Sequence, residues 1–342
     1  KLKGIDPFIT NPCEFSETRY QYPIGWLIIF EKLNLQIYEN FQFFLFFTIS
    51  FTIFSYLAIF DLSRNNFNKI ILIFLFFSTS SMLLLERGNV DHIIFSLTFL
   101  AGITPIYYLS LSLVSLTSLL KIYPFFSFFY LITKSKKIIT LIFMICIILM
   151  IYEISISKYI DKNHSIMAMS QTYGVQSITE GFFKTFEKKN LLFINENEKN
   201  IIRMISSLLF LTFCITIFYF GTISKKNIEF QRNLKQKNLF ILGGSIYVGS
   251  YIFYSNLDYR LVFLFLTIPF AYNFGKKINL VYCLSILIIS NSWIFHFKPL
   301  SLEHIIFTSI LYGIKLSLVI FISYYLGAIN KNFFNIKKVE LF

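Results

Sequence analysis

The chain of 342 residues is 56% hydrophobic and 20% aromatic, carries 14% charged residues and has a formal charge of +13, with a mean hydropathy of +0.64. That balance excludes an ordinary soluble globular domain and indicates a membrane protein. The positive charge is not a nucleic-acid footprint, because the Lys and Arg residues are spread through short loops between apolar runs, as membrane topology demands.

The opening stretch, KLKGIDPF, has neither Met nor the charged-then-apolar pattern of a signal peptide. We therefore expect the true N-terminus, with a further span, to lie upstream, and residues 1–40 to be the remnant of a first outer loop. Crossing about 30 Å of hydrocarbon takes about 20 helical residues. Apolar runs of that order fall near 41–60, 69–86, 138–157 and 203–223, then near 238–255, 260–274, 279–295 and 305–328. The stretch 92–133 is interrupted by Gly102, Pro105 and Pro124 and is too long for one span yet too short for three, so one crossing with a broken or re-entrant portion is expected. The expected fold is an all-α polytopic transmembrane bundle of about nine spans. Its parts are an N-terminal transmembrane half over 41–157, an outer loop over 158–202, and a C-terminal transmembrane half over 203–342 ending in a basic tail. Within the outer loop, TEGFFKTFEKK reads either as a solvated connection or as an amphipathic helix on the membrane surface.

Basic loops orient such a chain. The stretches 63–69, 134–137, 224–237, 275–277 and 331–338 all carry Lys or Arg, and they share one side if 92–133 crosses once. On that map all but three of the eighteen Asp and Glu fall at the other side, the exceptions being Asp61, Glu229 and Glu340. The expected location is a bacterial inner (plasma) membrane with the chemistry on the non-cytoplasmic face.

Four polar clusters reach that face: EFSETRYQYP (14–23), ERGNVDH (86–92), NLDYR (256–260) and HFKPLSLEH (296–304). Interface placement alone explains any one of them, since an ion at the bilayer centre costs about 2.5–3.5 kcal/mol. Arg87 and Asp91 stand four apart and read equally as a structural ion pair on a helix. Asp258 and Arg260, two apart, do not suit such a pair, and an arginine fork grips phosphate well. Tyr259 fits an interfacial anchor. Lys121 lies within an apolar stretch three residues before Pro124, where it either snorkels to an interface or lines a polar cavity.

No metal site or cofactor is expected. The sequence lacks C-x-x-C and H-E-x-x-H; Cys146, Cys214 and Cys283 lie in apolar runs, and Cys13 stands alone. His296, Glu303 and His304 have loop spacing without a ligand pattern, and either histidine reads better as a phosphate contact. D-x-D, the phosphate-binding G-x-x-x-x-G-K-[ST] and the G-x-S-x-G elbow are also missing, so a soluble nucleotide substrate has no visible handle.

Taken in order, LKGIDPF (2–8), YQYP (20–23), ERGNVD (86–91) and SLLKIYPFF (118–126) resemble the polyprenol-phosphate-dependent mannosyltransferase-like group of the GT-C membrane glycosyltransferases, glycosyltransferase family 87 and its relatives. NLDYRLVFLFLTIP is similar to the late Y-R-L segment of those relatives, whereas Ser and Leu replace the usual Ala and Gly before Lys121. The resemblance implies a GT-C-like enzyme that takes a hexose, such as mannose, from a polyprenyl-phosphate-linked sugar and adds it to a glycan or lipid acceptor on the outer face. Membrane lipids are its other partners, and nucleic acid is not among them. It further implies a carboxylate base in the first outer loop and cations that receive the leaving phosphate. Asp6, Glu17 and Asp91 are the candidates for the carboxylate, and the superfamily's usual catalytic Asp falls upstream of residue 1. Arg87, Arg260 and Lys121 would meet the donor phosphate; Asn89, Asp258 and Tyr259 would contact substrate. Two other readings stay open: a transporter or flippase with a midplane site near 102–124, and a polysaccharide polymerase or ligase. The latter is disfavoured because loop 158–202 offers His164 but only Arg203 at its edge.

Overall fold

The computed structural model describes residues 37–86, 91–134, 145, 172–188, 195–224, 234–253, 256–292 and 302–330. These residues are almost wholly helical, with one two-residue strand pairing.

Helix α1 (Ile37–Leu62) leads through a short break to α2 (Asn66–Phe76), whose N-terminus is capped by the Asn65 side chain accepting from the Phe67 N–H at 3.1 Å. Helix α3 (Thr79–Glu86) follows after a bend of 46°. A bend frees backbone groups that lipid cannot satisfy. Here neighbouring hydroxyls supply partners: Ser78 donates to the Leu75 carbonyl (2.6 Å), while Thr79 and Ser80 both donate to the Ser290 carbonyl (2.8 and 3.0 Å).

The stretch expected to cross once in broken form folds as three short legs. Helix α4 (Asp91–Ile103) runs away from the Asp91 end, turns at Pro105, and returns as α5 (Tyr107–Leu120). Lys121 is extended, a 3-10 turn over Tyr123–Ser127 carries Pro124 in its first positions, and α6 (Phe128–Lys134) runs back again. Lys134 closes the far end, its ammonium donating to the Thr104 carbonyl at 2.8 Å and to the Ser110 hydroxyl at 2.7 Å. Each leg spans about 20 Å at 1.5 Å rise per α-helical residue and 2.0 Å per 3-10 residue. Three passes of that length traverse the molecule once in net, as the charge map requires.

Strand β1 (Thr172–Tyr173) and helix α7 (Val175–Lys188) belong to the predicted outer loop. The amphipathic option for that loop therefore takes helical form. Helix α8 (Glu196–Ile223) opens with a capping box between Asn195 and Glu198. Helix α9 (Leu234–Phe253) is the hub, buried along nearly its whole length. Strand β2 (Asn256–Leu257) pairs antiparallel with β1 and runs into a ten-residue 3-10 segment, Asp258–Thr267. Then come α10 (Ile268–Ala271), the 3-10 turn Tyr272–Phe274, Gly275 at φ 92°, α11 (Lys276–Ser290) and α12 (Leu302–Ile329). Run 260–274, expected as one span, is thus mostly 3-10 helix. Leu261 to Leu266 are buried on every side, and a 3-10 segment of this length is uncommon. Close packing on α9 accompanies it, since a side chain at Gly243 would collide with the Phe263 carbonyl.

Four of the five basic stretches have described residues in or beside them that come together, while 331–338 lies outside the described residues. Gln236 donates to the Leu62 carbonyl (2.6 Å), Asn238 to Gly102 (3.1 Å), Lys134 to Thr104 (2.8 Å) and Asn279 to the Asn68 side chain (2.7 Å), which puts these residues at one end. Among the described residues, two helices are long and apolar enough to cross a membrane, Asn197–Ile223 within α8 and Ile306–Ile329 within α12, and the bent α2–α3 pair makes a third. The runs over 92–133 and 260–274 are broken by Pro105, Pro124, Pro269 and Gly275 into shorter helices, so the nine-span count does not carry over as nine full-length helices. The run 138–157 lies outside the described residues, Ile145 excepted.

Candidate functional site

Four side chains from three distant segments meet at the start of α4. Asp91 is the first residue of that helix and is fully buried. An N-terminal carboxylate faces the positive end of the helix dipole. Because α5 runs antiparallel to α4, its C-terminal end lies alongside, and Lys121 at the C-cap of α5 faces a negative helix end. The two helix ends thus favour the charges that are found there. The Lys121 ammonium lies 2.8 Å from Asp91 Oδ1, and the Tyr123 hydroxyl donates to the same oxygen at 2.5 Å. Arg260, from the 3-10 segment after β2, brings its Nε to 4.0 Å from Asp91 Oδ2 and lays its guanidinium over the Tyr123 ring, 4.7 Å from the centroid.

Exposure ranks the four. Asp91, Tyr123 and Lys121 have 0%, 2% and 7% of their surface exposed, whereas the Arg260 side chain keeps 21%. Arg260 is therefore the member that faces outward, with the other three behind it. Lys121 does not snorkel to an interface: it turns inward to a carboxylate. Behind Asp91, His92 is buried and its Nδ1 lies 3.1 Å from the Thr52 hydroxyl.

The structure brings Asp91, Lys121 and Arg260 together. Asp258 and Tyr259 occupy the same 3-10 segment as Arg260, just after β2, and their side chains lie outside those described. Asp6, Glu17, Arg87 and Asn89 also lie outside the described residues, the latter two in the gap that leads into Asp91.

Tyr123 was not singled out in the sequence. It is one of 21 tyrosines, and only its place between Lys121 and Pro124 set it apart. Lys315 was missed as well. It is 1% exposed, sits midway along α12, and its ammonium lies 5.6 Å from the Tyr312 ring centroid while Tyr247 donates to its backbone carbonyl at 2.9 Å. A single Lys inside an apolar run barely lowers window hydropathy, yet at membrane depth it carries the strongest presumption of a role.

A second buried ion pair joins α7 to α8: Glu180 and Arg203 meet at 2.5 Å, with Arg203 also donating to Asn200 at 2.7 Å. Among the described residues no three His, Cys, Asp or Glu side chains gather as a metal site would require. Cys214 and Cys283 are buried thiols.

What the main cluster can do chemically follows from its charges. Two cations and a phenol ring surround one carboxylate that cannot move, and one of the cations reaches the surface. An anion arriving at Arg260 would meet a guanidinium that lies over the Tyr123 ring with its Nε 4.0 Å from Asp91. No family model matches the chain, nor does any curated protein or solved structure.

Proposed function

We propose that this chain is an integral membrane hexosyltransferase that moves a sugar from a polyprenyl-phosphate carrier to an acceptor hydroxyl at the non-cytoplasmic face. The observation that supports it best is the meeting of Asp91, Lys121, Tyr123 and Arg260. They come from ERGNVD, SLLKIYPFF and NLDYR, three of the segments in which the chain resembles GT-C glycosyltransferases.

In the proposed reaction an acceptor oxygen attacks the anomeric carbon. The bond from that carbon to the phosphate oxygen breaks, its electron pair leaves with the phosphate, and the acceptor proton passes to a carboxylate. Negative charge grows on the leaving phosphate, where fixed positive charge lowers the barrier. In this reading Arg260 supplies it, with Lys121 adding to the field from behind and Arg87 as a further donor-phosphate contact. Asp91 is ill suited to be the base, because it is fully buried and already accepts from Lys121 and Tyr123. It serves instead as the anchor for the cations, and Asp6 and Glu17 remain the candidates within this sequence for a base in the first outer loop. Asn89, Asp258 and Tyr259 would contact sugar or acceptor.

The purified protein, given a polyprenyl-phosphate hexose and an acceptor, should release polyprenyl phosphate. Replacing both Arg87 and Arg260 by Ala should lower kcat by about a hundredfold or more, the scale for losing a transition-state donor. Undiminished turnover would refute the assignment.

One observation favours a second reading. Three short legs in place of one span and a Lys315 buried midway along α12 are features that transporters also use. Uptake of an intact lipid-linked sugar into proteoliposomes, without release of lipid phosphate, would select that reading.

A further inference from the structure

Between α7 and α8 runs a groove of about 580 Å³, within the range of sites that enclose organic ligands. Its walls include Ile178 and Phe182 of α7, Ile202, Leu209 and Phe213 of α8, and Leu316 of α12; only the hydroxyls of Thr179 and Ser206 interrupt them. The mouth opens outward, with Phe182 60% and Leu209 65% exposed. It opens onto the face of α8 that also exposes Ile201, Met204, Ile205 and Leu208, on a helix long and apolar enough to cross a membrane. An apolar face of this kind suits contact with hydrocarbon.

Two features separate this groove from an incidental gap. The Glu180–Arg203 pair, whose side chains are each 10% exposed, fixes α7 against α8, and the Arg203 guanidinium also lies over the Phe183 ring at 5.6 Å. A buried pair of this kind adds little net stability but sets register, so it holds the roof at one height instead of letting it collapse onto α8. The inner end of the groove, at Val175, is tied to the main cluster. Gly174 alone separates Val175 from β1, β1 pairs with β2, and β2 continues directly into Asp258–Arg260. The Gln176 side chain strengthens the tie by donating to the Phe253 carbonyl at 2.7 Å.

We propose that this groove holds the isoprenoid chain of the lipid phosphate whose head group sits at Arg260, with α7 as its roof and Glu180–Arg203 as the pin that keeps it open. The identity of the head group rests on the transferase reading above; the course of the chain rests on the groove and its tie to β2. Phe182, Phe210 and Phe213 line the groove, with the latter two ring centroids 6.0 Å apart, and a chain methyl-branched at regular intervals offers side groups to pack among such rings where a straight chain offers none.

The test is equilibrium binding of undecaprenyl phosphate, oleyl phosphate and dimethylallyl phosphate to the full chain and to three variants. Leu209→Trp and Ile202→Trp fill the groove from positions that are already partly exposed, so the fold should tolerate both; Arg260→Gln removes the head-group cation. Filling the groove should weaken undecaprenyl phosphate about tenfold, the worth of roughly two buried methylenes, and leave dimethylallyl phosphate unchanged. Arg260→Gln should weaken all three. Unaltered undecaprenyl phosphate binding in both filled variants would overturn the groove proposal while leaving the head-group assignment standing. Unaltered binding of all three lipids to Arg260→Gln would overturn the head-group assignment but not the groove. Oleyl phosphate binding the unmodified chain as tightly as undecaprenyl phosphate would overturn the isoprenoid as occupant in favour of ordinary lipid tails.

Discussion

Asp91→Asn keeps the shape of the side chain and removes the charge that Lys121 and Arg260 face. Losing one member of a buried ion pair costs about 3–5 kcal/mol, because the partner's charge stays buried. The variant should therefore unfold at a distinctly lower temperature in detergent. Adding Lys121→Met should recover part of that loss, with a coupling of about 0.5–3 kcal/mol in the double-mutant cycle; strictly additive losses would mean that the 2.8 Å contact carries no mutual energy. Lys315 makes the opposite case. It is 1% exposed, midway along a helix long and apolar enough to cross a membrane, where burying a charge is costly, so Lys315→Met should raise the unfolding midpoint, and a fall would show that its contacts outweigh that burial. Asp91, Lys121 and Arg260 were legible one at a time, as charges beside or inside apolar runs. Their meeting was not, because 30 residues separate the first two and a further 139 the third, and nothing in local spacing fixes which leg returns to which. Tyr123 acquires meaning only once its hydroxyl is seen on Asp91.

At the scale of the element, proline and glycine positions were the most readable marks. Pro105 and Pro124 bracket α5 and turn a long apolar stretch into legs that run out, back and out again. Their lengths of 13 and 14 residues for α4 and α5 follow from where those prolines stand. The 3-10 form of Asp258–Thr267 was not readable, since its apolar run has the composition of a span and only its packing against α9 distinguishes the two. The start of α8 offers a direct check. Asn195 and Glu198 satisfy each other's backbone N–H groups at 2.9 and 3.0 Å, so Asn195→Ala should destabilise the first turn by about 1 kcal/mol, seen as faster amide exchange at Glu198. Unchanged exchange would mean that tertiary contacts hold the turn without its cap. Farther along the same helix, Gly221 and Gly327 of α12 let two backbones approach so closely that a side chain at either would strike the facing carbonyl, the small-residue packing that joins helices in lipid.

For the whole molecule, composition pointed to a membrane protein, and the described residues hold two helices long and apolar enough to cross one; the distribution of Lys and Arg pointed to loops that share an end. The hydrogen bonds from Gln236 to Leu62 and from Lys134 to Thr104 put those loops where charge counting did. The count of spans did not follow so directly, because hydropathy measures the length of an apolar run and not whether it bends. A labelling experiment tests the orientation. Arg64 and Glu198 are both exposed and belong to opposite ends, so cysteines placed at each should react with an impermeant thiol reagent from opposite sides of the membrane. Arg64→Cys should label only after the membrane is opened, and labelling of both from one side would invert or dismantle the arrangement.

The shortness of the three legs reaches beyond architecture. Legs about 20 Å long fall short of a hydrocarbon film of about 30 Å, and where water filled the difference as a recess, the electric field of an energised membrane would concentrate across the thinner part. A charge docking at Arg260 within such a recess would travel through a fraction of the transmembrane voltage, which is worth about 2.3 kcal/mol per elementary charge for every 100 mV crossed in full. Occupancy by an anionic lipid head would then respond to the energetic state of the cell as well as to the supply of the lipid.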